Sequence, residues 1–417
     1  GNRGVIKMME VKAKPIIASP GRPVRSAGGP ARISYELIKS LVSRQEGDGI
    51  AYLDLETGTR YILHSRSELE RVATDSYSSP GGFQKFTKVL LTSFLGSSTV
   101  EWGRRVRYKL LAHRISHQIT GDFGHLLHMH GISPAIAYMS LPNFPIIWSE
   151  HSKGSALREL HMVLNEPPKG EFANSLRQAY VKMLNECTLA TFPSLGAVQL
   201  FEEYTGWEVP KEKLRIVYNG IPDPLEQYPD LLTEQDTEQD LGDAIVVTIA
   251  QHVPEKGLDL ALEALVRSDR PWRWLVVGQE TPWTKKLKEL VQRQSKIEVK
   301  LLSSLSHKDV IRVLAKSRVV LATQRVAIFD LAILEAMALS KPIIATKIGG
   351  NIEALGSTYP FLGEDVDEIA GALQRVYDDF DVARDVGKHN RERFIQNFTI
   401  NKMIEAYSAL YSYVVSE

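Results

Sequence analysis

At 417 residues, with 43% hydrophobic and 24% charged positions, the chain has the composition of a globular protein and the length of two domains rather than one. Its 50 Lys and Arg balance 50 Asp and Glu, which leaves no overall field to draw it to nucleic acid or to an anionic membrane. The single cysteine, Cys187, excludes an internal disulfide framework, and no apolar run approaches the roughly 18 residues of a membrane span.

Residues 1–14 read as a tail or cloning remnant without the apolar core of a signal peptide, so a cytoplasmic protein is expected. Pro15 to Ser19 (PIIAS) reads as a first strand. The loop after it runs through Gly28-Gly29 into a helical pattern with Ile33, Leu37, Ile38 and Leu41 on one face. Glycines that open a helix can offer free amides to a phosphate, although a simple turn is the commoner use. Gly49 to Asp54 and Thr59 to Leu63 read as strands, and Ser79-Pro80-Gly81-Gly82 as a turn. Glu101 to Gln118 is a helical stretch whose expected inner face is Trp102, Val106, Leu110 and Ile115. It carries Arg104, Arg105, Arg107, Lys109 and Arg114 against one acid, Glu101. Two readings are open: a solvated basic face, or a patch for an anionic or lipid-linked acceptor, with peripheral contact at the inner membrane face through residues 104–114.

Leu126 to His130 (LLHMH) and Pro145 to Trp148 (PIIW) read as buried parallel strands, whose carboxyl ends bring His130 and His151 to one sheet edge. His128-x-His130 with His151 also invites a metal, but no carboxylate or cysteine cluster supports one, and none is expected. Leu189 to Phe192 and Leu214 to Ile221 complete the first half. Asp223 to Asp243, rich in acids and without a base, reads as a linker. Beyond it, apolar runs at 244–250, 274–278, 299–302 and 319–322 alternate with helical segments such as Leu258 to Leu265. That alternation argues for a parallel sheet with helices on both faces.

The stretch Thr323 to Glu353 is the most informative. An irregular segment precedes a helix from Leu331 to Leu339, which Ser340-Lys341-Pro342 breaks. A short strand to Thr346 then runs into a glycine turn at Gly349-Gly350. Loops at the carboxyl ends of such strands are where ligands bind, and Glu335 lies on the adjacent helix. A buried helix and strand with a solvated Glu335 is the plainer alternative.

LEAMALSKPIIATKIGGNIE resembles, nearly residue for residue, the signature of the family-4 glycosyltransferases (glycosyl transferases group 1), retaining enzymes of the GT-B fold. The Pro193-Ser194 pair after a strand and the LRIVYNGI segment resemble the same family, and the resemblance runs from about Pro15 to the end of the sequence. It implies an α/β GT-B architecture, two Rossmann-like parallel-sheet domains facing across a cleft. The acceptor-side domain would span 15–222, the linker 223–243 and the nucleotide-sugar-binding domain 244–398, with a helix at 399–417 crossing back. The implied reaction moves a sugar from a nucleotide-diphosphate sugar to a glycan, lipid-linked or small-molecule acceptor, with retention and without metal or cofactor.

By matched position, Gly28-Gly29 would hold the donor phosphate, Lys256 in VPEKG would contact the phosphates, and Glu335 would bind the ribose hydroxyls. His151 would lie beside the sugar and acceptor, His130 in the cleft, and Gly349-Gly350 near the nucleotide or sugar. Three positions depart from the pattern. The arginine that partners the lysine is replaced at Ala250-Gln251, the first glutamate by Ala327, and a glycine by Asp330. Arg22, His252 and Arg325 are candidates to supply the missing cation. Two classes therefore stand side by side: a transferase with a variant site, and a degenerate relative that binds a partner or glycan without turnover.

Overall fold

The computed structural model describes residues 13–25, 30–44, 47–74, 98–233, 244–303 and 305–417. Gly28-Gly29, the expected turn at residues 79–82 and most of the amino-terminal tail lie outside these. Contacts divide the chain into two compact units. One runs to Thr191 and adds Glu208–Arg215 and Ile404–Glu417; the other is Phe192–Trp207 with Ile216–Met403. The chain thus changes unit several times, where the sequence suggested single cuts at 222, 243 and 398.

The first sheet has seven strands: β1 (Pro15–Ser19), β2 (Ile50–Asp54), β3 (Arg60–Leu63), β4 (Leu126–His130), β5 (Ile146–Ser149), β6 (Leu189–Phe192) and β7 (Leu214–Ile216). Their order is β3-β2-β1-β4-β5-β6-β7, with β3 antiparallel to β2. The pairs linking β2, β1, β4, β5 and β6 are parallel. β1, β2 and β4 are almost wholly buried, which is why they read as apolar runs rather than as alternating ones. Helices α1 (Pro30–Arg44), α2 (Arg66–Val72), α3 (Ser98–Ser116), α4 (Ala156–Leu164) and α5 (Gly170–Glu186) belong to this half. α1 buries Ile33, Leu37, Ile38 and Leu41, as their spacing requires.

The second sheet has six strands in the order β10-β9-β8-β11-β12-β13, with every pair parallel. They are β8 (Ile245–Ile249), β9 (Arg273–Val277), β10 (Glu298–Leu302), β11 (Val319–Ala322), β12 (Ile343–Thr346) and β13 (Leu362–Gly363). The helices are α6 (Leu195–Thr205), α7 (Pro224–Gln227), α8 (Asp230–Thr233), α9 (Leu258–Arg267), α10 (Thr284–Gln292), α11 (His307–Lys316), α12 (Leu331–Ala338), α13 (Gly349–Leu355), α14 (Val366–Asp378) and α15 (Phe380–Asn397). α16 (Ile400–Ser416) begins in this unit and ends in the first. Trp274, Val276, Leu321, Ile344 and Leu373 share the core, and the indole N–H there is satisfied by Trp274 Nε1 donating to Thr248 Oγ1 at 2.9 Å. Strand order reverses beside β8, so the crevice at its carboxyl end is the topological switch point.

Three expectations need correction. First, the inner face of α3 is not Trp102, Val106 and Leu110. Trp102 and Leu110 are each 65% exposed, whereas Ala112 and Ile115 are buried. A charge cluster sets this rotation: Arg105 grips buried Glu171 of α5 at 3.2 and 3.0 Å, and Glu101 accepts from the Glu171 N–H at 2.6 Å. Positions 101, 104, 108, 112 and 115 therefore share the inner side, and Arg105 reaches Glu171 from its exposed edge. Second, Gly349-Gly350 is not a turn after β12 but the start of α13. Third, part of the stretch read as linker forms α7 and α8. Asp223 caps α7 and receives Arg391 of α15 in a bidentate pair at 2.8 and 2.7 Å.

Because Asp223 is buried, Asp223→Ala should lower the unfolding free energy by about 3 kcal/mol in urea titrations. A loss under about 1 kcal/mol would mean the pair behaves as an exposed one.

Candidate functional site

In the second unit a small cavity opens at the carboxyl ends of β8 and β11, lined among others by Ala250, Lys256, Thr323, Gln324, Asp330 and Ala332. Lys256 reaches it from a short 3-10 turn, Pro254–Lys256, that Gly257 closes in the left-handed region at φ 63°. A Cβ on Gly257 would lie 1.9 Å from the Thr323 carbonyl oxygen, so this turn tolerates only glycine against β11. The ammonium of Lys256 lies 3.7 Å from Asp330 Oδ2. Asp330 is also the cap of α12: its Oδ1 accepts from the Ala332 N–H at 2.9 Å, and its Oδ2 accepts from Gln324 Nε2 at 2.7 Å. A lysine and the amino end of a helix thus converge on one spot, the arrangement that favours an anion, and here a carboxylate of the chain occupies it.

Glu335 lies one turn further along α12, buried, and its Oε1 accepts from His307 Nε2 at 2.8 Å. The Nδ1 of His307 meets the Tyr228 hydroxyl at 2.7 Å. Gly349 and Gly350 press against the backbone of the irregular segment before α12. Gly350 N–H donates to Ala327 O at 3.0 Å, and a Cβ on Gly350 would lie 2.1 Å from Ile328 O. The glycine pair therefore has a packing reason of its own. Gln251 is exposed just after β8, at the position where a cation was expected. Arg325 is committed elsewhere, gripping Asp259 at 2.9 and 2.7 Å and donating to Pro254 O at 2.6 Å. His252 is buried, with Nδ1 at 3.0 Å from Thr284 Oγ1.

In the first unit the carboxyl ends of β4 and β5 carry a cluster of buried histidines. His130 Nδ1 and His151 Nε2 are 2.9 Å apart with parallel rings, so one proton is shared between them. Their outer nitrogens, His130 Nε2 and His151 Nδ1, are buried without a hydrogen-bond partner. Beneath them His128 bonds the Tyr411 hydroxyl at 2.5 Å and Ser149 Oγ at 2.7 Å, which ties the end of α16 to the sheet. Burial pushes His151 down to about 4 and holds His128 and His130 well below the usual imidazole range, the neighbouring rings adding to the effect on those two. All three are neutral at pH 7. Arg22 is exposed in the turn after β1. Among the described residues no group of three or more His, Cys, Asp or Glu could hold a metal ion.

The structure thus brings Lys256 and Asp330 together, and separately pairs His130 with His151. Sequence reasoning missed Tyr228 and His307. Tyr228 fell in the supposed linker, and no spacing rule connects it with a histidine 79 positions away.

Residues 232–393 match the family model for glycosyl transferases group 1. That span is a glycosyl transferases group 1 region. A human subunit of phosphatidylinositol N-acetylglucosaminyltransferase is 29% identical over 147 residues, 34% of this chain and 29% of its own length. Trehalose synthase of Thermococcus litoralis is 26% identical over 225 residues, 49% of this chain and 54% of its own. The chain therefore spans about half or less of the curated relatives it matches. Among solved structures, Anabaena HepE in complex with UDP and glucose superposes with a TM-score of 0.60 at 16% identity, over 96% of this chain and 100% of that one. Sucrose-phosphate synthase of Thermosynechococcus elongatus gives 0.63 at 17% identity, over 97% and 99%. The fold is GT-B, an α/β architecture of two parallel-sheet domains.

The buried histidines make stability depend on pH with a definite sign. Unfolded imidazoles take up a proton near pH 6.5, whereas the folded ones resist it, so their contribution is complete above about 6.5 and lost as pH falls. Each should add a slope of up to about 1.4 kcal/mol per pH unit between about 6.5 and 5, before most carboxylates titrate. His151→Gln should flatten the stability profile measured by urea unfolding by one proton's worth. An unchanged slope would show that His151 takes up its proton equally in both states.

Proposed function

We propose that the chain is a metal-independent retaining glycosyltransferase that moves a sugar from a nucleoside diphosphate sugar to an acceptor hydroxyl. The observation that carries this reading is the lysine and helix end meeting at the switch point of the second sheet. In the reaction, the bond from the sugar's anomeric carbon to the diphosphate oxygen breaks. The acceptor oxygen bonds to the same carbon on the same face, and its proton passes to the departing diphosphate. Negative charge grows on that leaving group, and an ammonium already in place stabilises it without reorganisation. Lys256 supplies the charge, Glu335 takes the ribose hydroxyls, and neutral His151 offers one ring nitrogen to a sugar or acceptor hydroxyl. Retention rests on the resemblance of the LEAMALSKPIIATKIGGNIE segment to retaining enzymes, and the UDP held by Anabaena HepE supports a nucleotide donor.

A glycan, a lipid-linked molecule or a small molecule would suit as acceptor, and the second of these has particular support. The human relative is named for a phosphatidylinositol substrate. On this chain, α3 turns Trp102 and Leu110 outward beside exposed Lys109, Arg107 and Arg114. An aromatic and an aliphatic anchor among bases suit the interface of an anionic bilayer, so we place the protein in the cytoplasm with peripheral contact at the inner membrane face.

One observation favours the second reading, binding without turnover. Asp330 sets a carboxylate on Lys256, where the donor's diphosphate would need the ammonium. The guanidinium expected beside it is replaced by Gln251, a loss that costs about 3 kcal/mol of transition-state stabilisation, roughly a hundredfold in rate.

Binding and hydrolysis of UDP-, GDP-, ADP- and dTDP-sugars discriminate these readings. Slow release of free sugar from one donor is expected, reduced about a hundredfold by Lys256→Ala, while Asp330→Gly tightens donor binding about tenfold. Binding without sugar release would leave the degenerate reading, and no binding to any donor would end both. For the membrane contact, sedimentation with vesicles containing anionic phospholipid should pull down the protein at low salt. Trp102→Ala with Leu110→Ala should weaken this at least about fivefold; equal binding to neutral phosphatidylcholine vesicles would contradict it.

A further inference from the structure

The chain between α7 and α8 meets α11 through the Tyr228 side chain. Tyr228 follows α7, and its hydroxyl lies 2.7 Å from His307 Nδ1. The other ring nitrogen of His307 lies 2.8 Å from Glu335 Oε1. An ionised carboxylate only accepts, so His307 Nε2 carries the proton toward Glu335, and Nδ1 accepts from the Tyr228 hydroxyl. The three groups thus form a hydrogen-bonded chain, its proton directions being those of the neutral imidazole. Its backbone anchors are firm, because His307 opens α11 behind the Ser306 cap and Glu335 is in the middle of α12. Exposure grades along it: the side chain of His307 is 31% exposed and that of Glu335 5%.

We propose that His307, held by Tyr228, is a positioning residue that fixes the Glu335 carboxylate for recognition of a nucleotide's ribose hydroxyls. This rests on the donor-site reading of Glu335 given above and adds the residues that make it selective. A glutamate on a helix has several rotamers, and freezing it at the moment of binding costs affinity. One bond to Oε1 settles the plane of the carboxylate in advance. A carboxylate offers about four acceptor positions, so the bond from His307 does not by itself prevent it from taking a ribose hydroxyl. The same bond draws Tyr228 into ribose recognition, so the segment that sequence patterning assigns to a linker contributes to donor selection.

The experiment is calorimetric titration of the full chain with the nucleoside diphosphate of whichever donor binds, and with its 2′-deoxy and 3′-deoxy counterparts. In the wild-type protein the ribonucleotide should bind at least about tenfold more tightly than either deoxynucleotide. His307→Ala should weaken the ribonucleotide about tenfold and leave the deoxynucleotides unchanged, which collapses the discrimination. His307→Gln, whose amide can still donate to Glu335, should restore most of it, and Tyr228→Phe should give an intermediate loss of about threefold. Parallel weakening of ribo- and deoxynucleotides would mean a merely structural role, and tighter binding by His307→Ala would mean that the imidazole shields the acid; either overturns the proposal. If His307→Ala does not fold, Tyr228→Phe decides by the same ratio. Ribose discrimination in the wild type that survives every variant removes this inference alone, whereas wild-type protein that binds no nucleotide removes the donor-site reading and this inference with it.

Discussion

The second unit is built around a single electrostatic requirement, a positive group held at the carboxyl ends of two parallel strands. Lys256 meets it only because Gly257 lets the chain turn against Thr323 with no side chain between them. The neighbouring amino end of α12 adds its partial positive charge to the same spot. Asp330 completes the arrangement, capping the helix and neutralising the lysine together. A ligand phosphate would have to match what Asp330 gives to both partners. On the proposed reading, donor affinity would be set by a competition between two anions for one site.

The first unit solves the opposite problem. Its strand ends carry three imidazoles buried so thoroughly that none holds a charge at pH 7. Their protons are placed by each other and by Tyr411, Ser149 and Thr191, which also join the last helix to the sheet. A neutral pair has one outer nitrogen that donates and one that accepts, which suits a hydroxyl group, and it brings no charge to a phosphate. The charged cluster and the neutral one thus belong to different units of the fold.

Much of the fold was legible because burial dictates composition. Strands covered on both faces are mostly apolar, and PIIAS, IVVTI and VVLA announced themselves in that way. Local motifs singled out Lys256 and Glu335, and the structure sets the first at the cavity and the second on α12. The sequence was not legible where long-range packing decides. The face of α3 turned the other way, with Glu101 held by the Glu171 N–H, 70 residues away in the sequence. The glycine pair at 349–350 looked like a ligand loop, yet its close contact with Ala327 and Ile328 also requires glycine. Asp330 stood out in the sequence only as a missing glycine; its simultaneous hold on Lys256, Gln324 and the Ala332 N–H exists only once the chain has folded.

The central claim is that the Lys256 ammonium is the donor's phosphate partner and Asp330 its placeholder. A crystal structure of the chain with a bound nucleoside diphosphate sugar tests it most directly. The account predicts the diphosphate at the amino end of α12, with Lys256 Nζ turned from Asp330 Oδ2 onto a phosphate oxygen and the ribose at Glu335. A nucleotide bound elsewhere, with the Lys256–Asp330 pair intact, would contradict it.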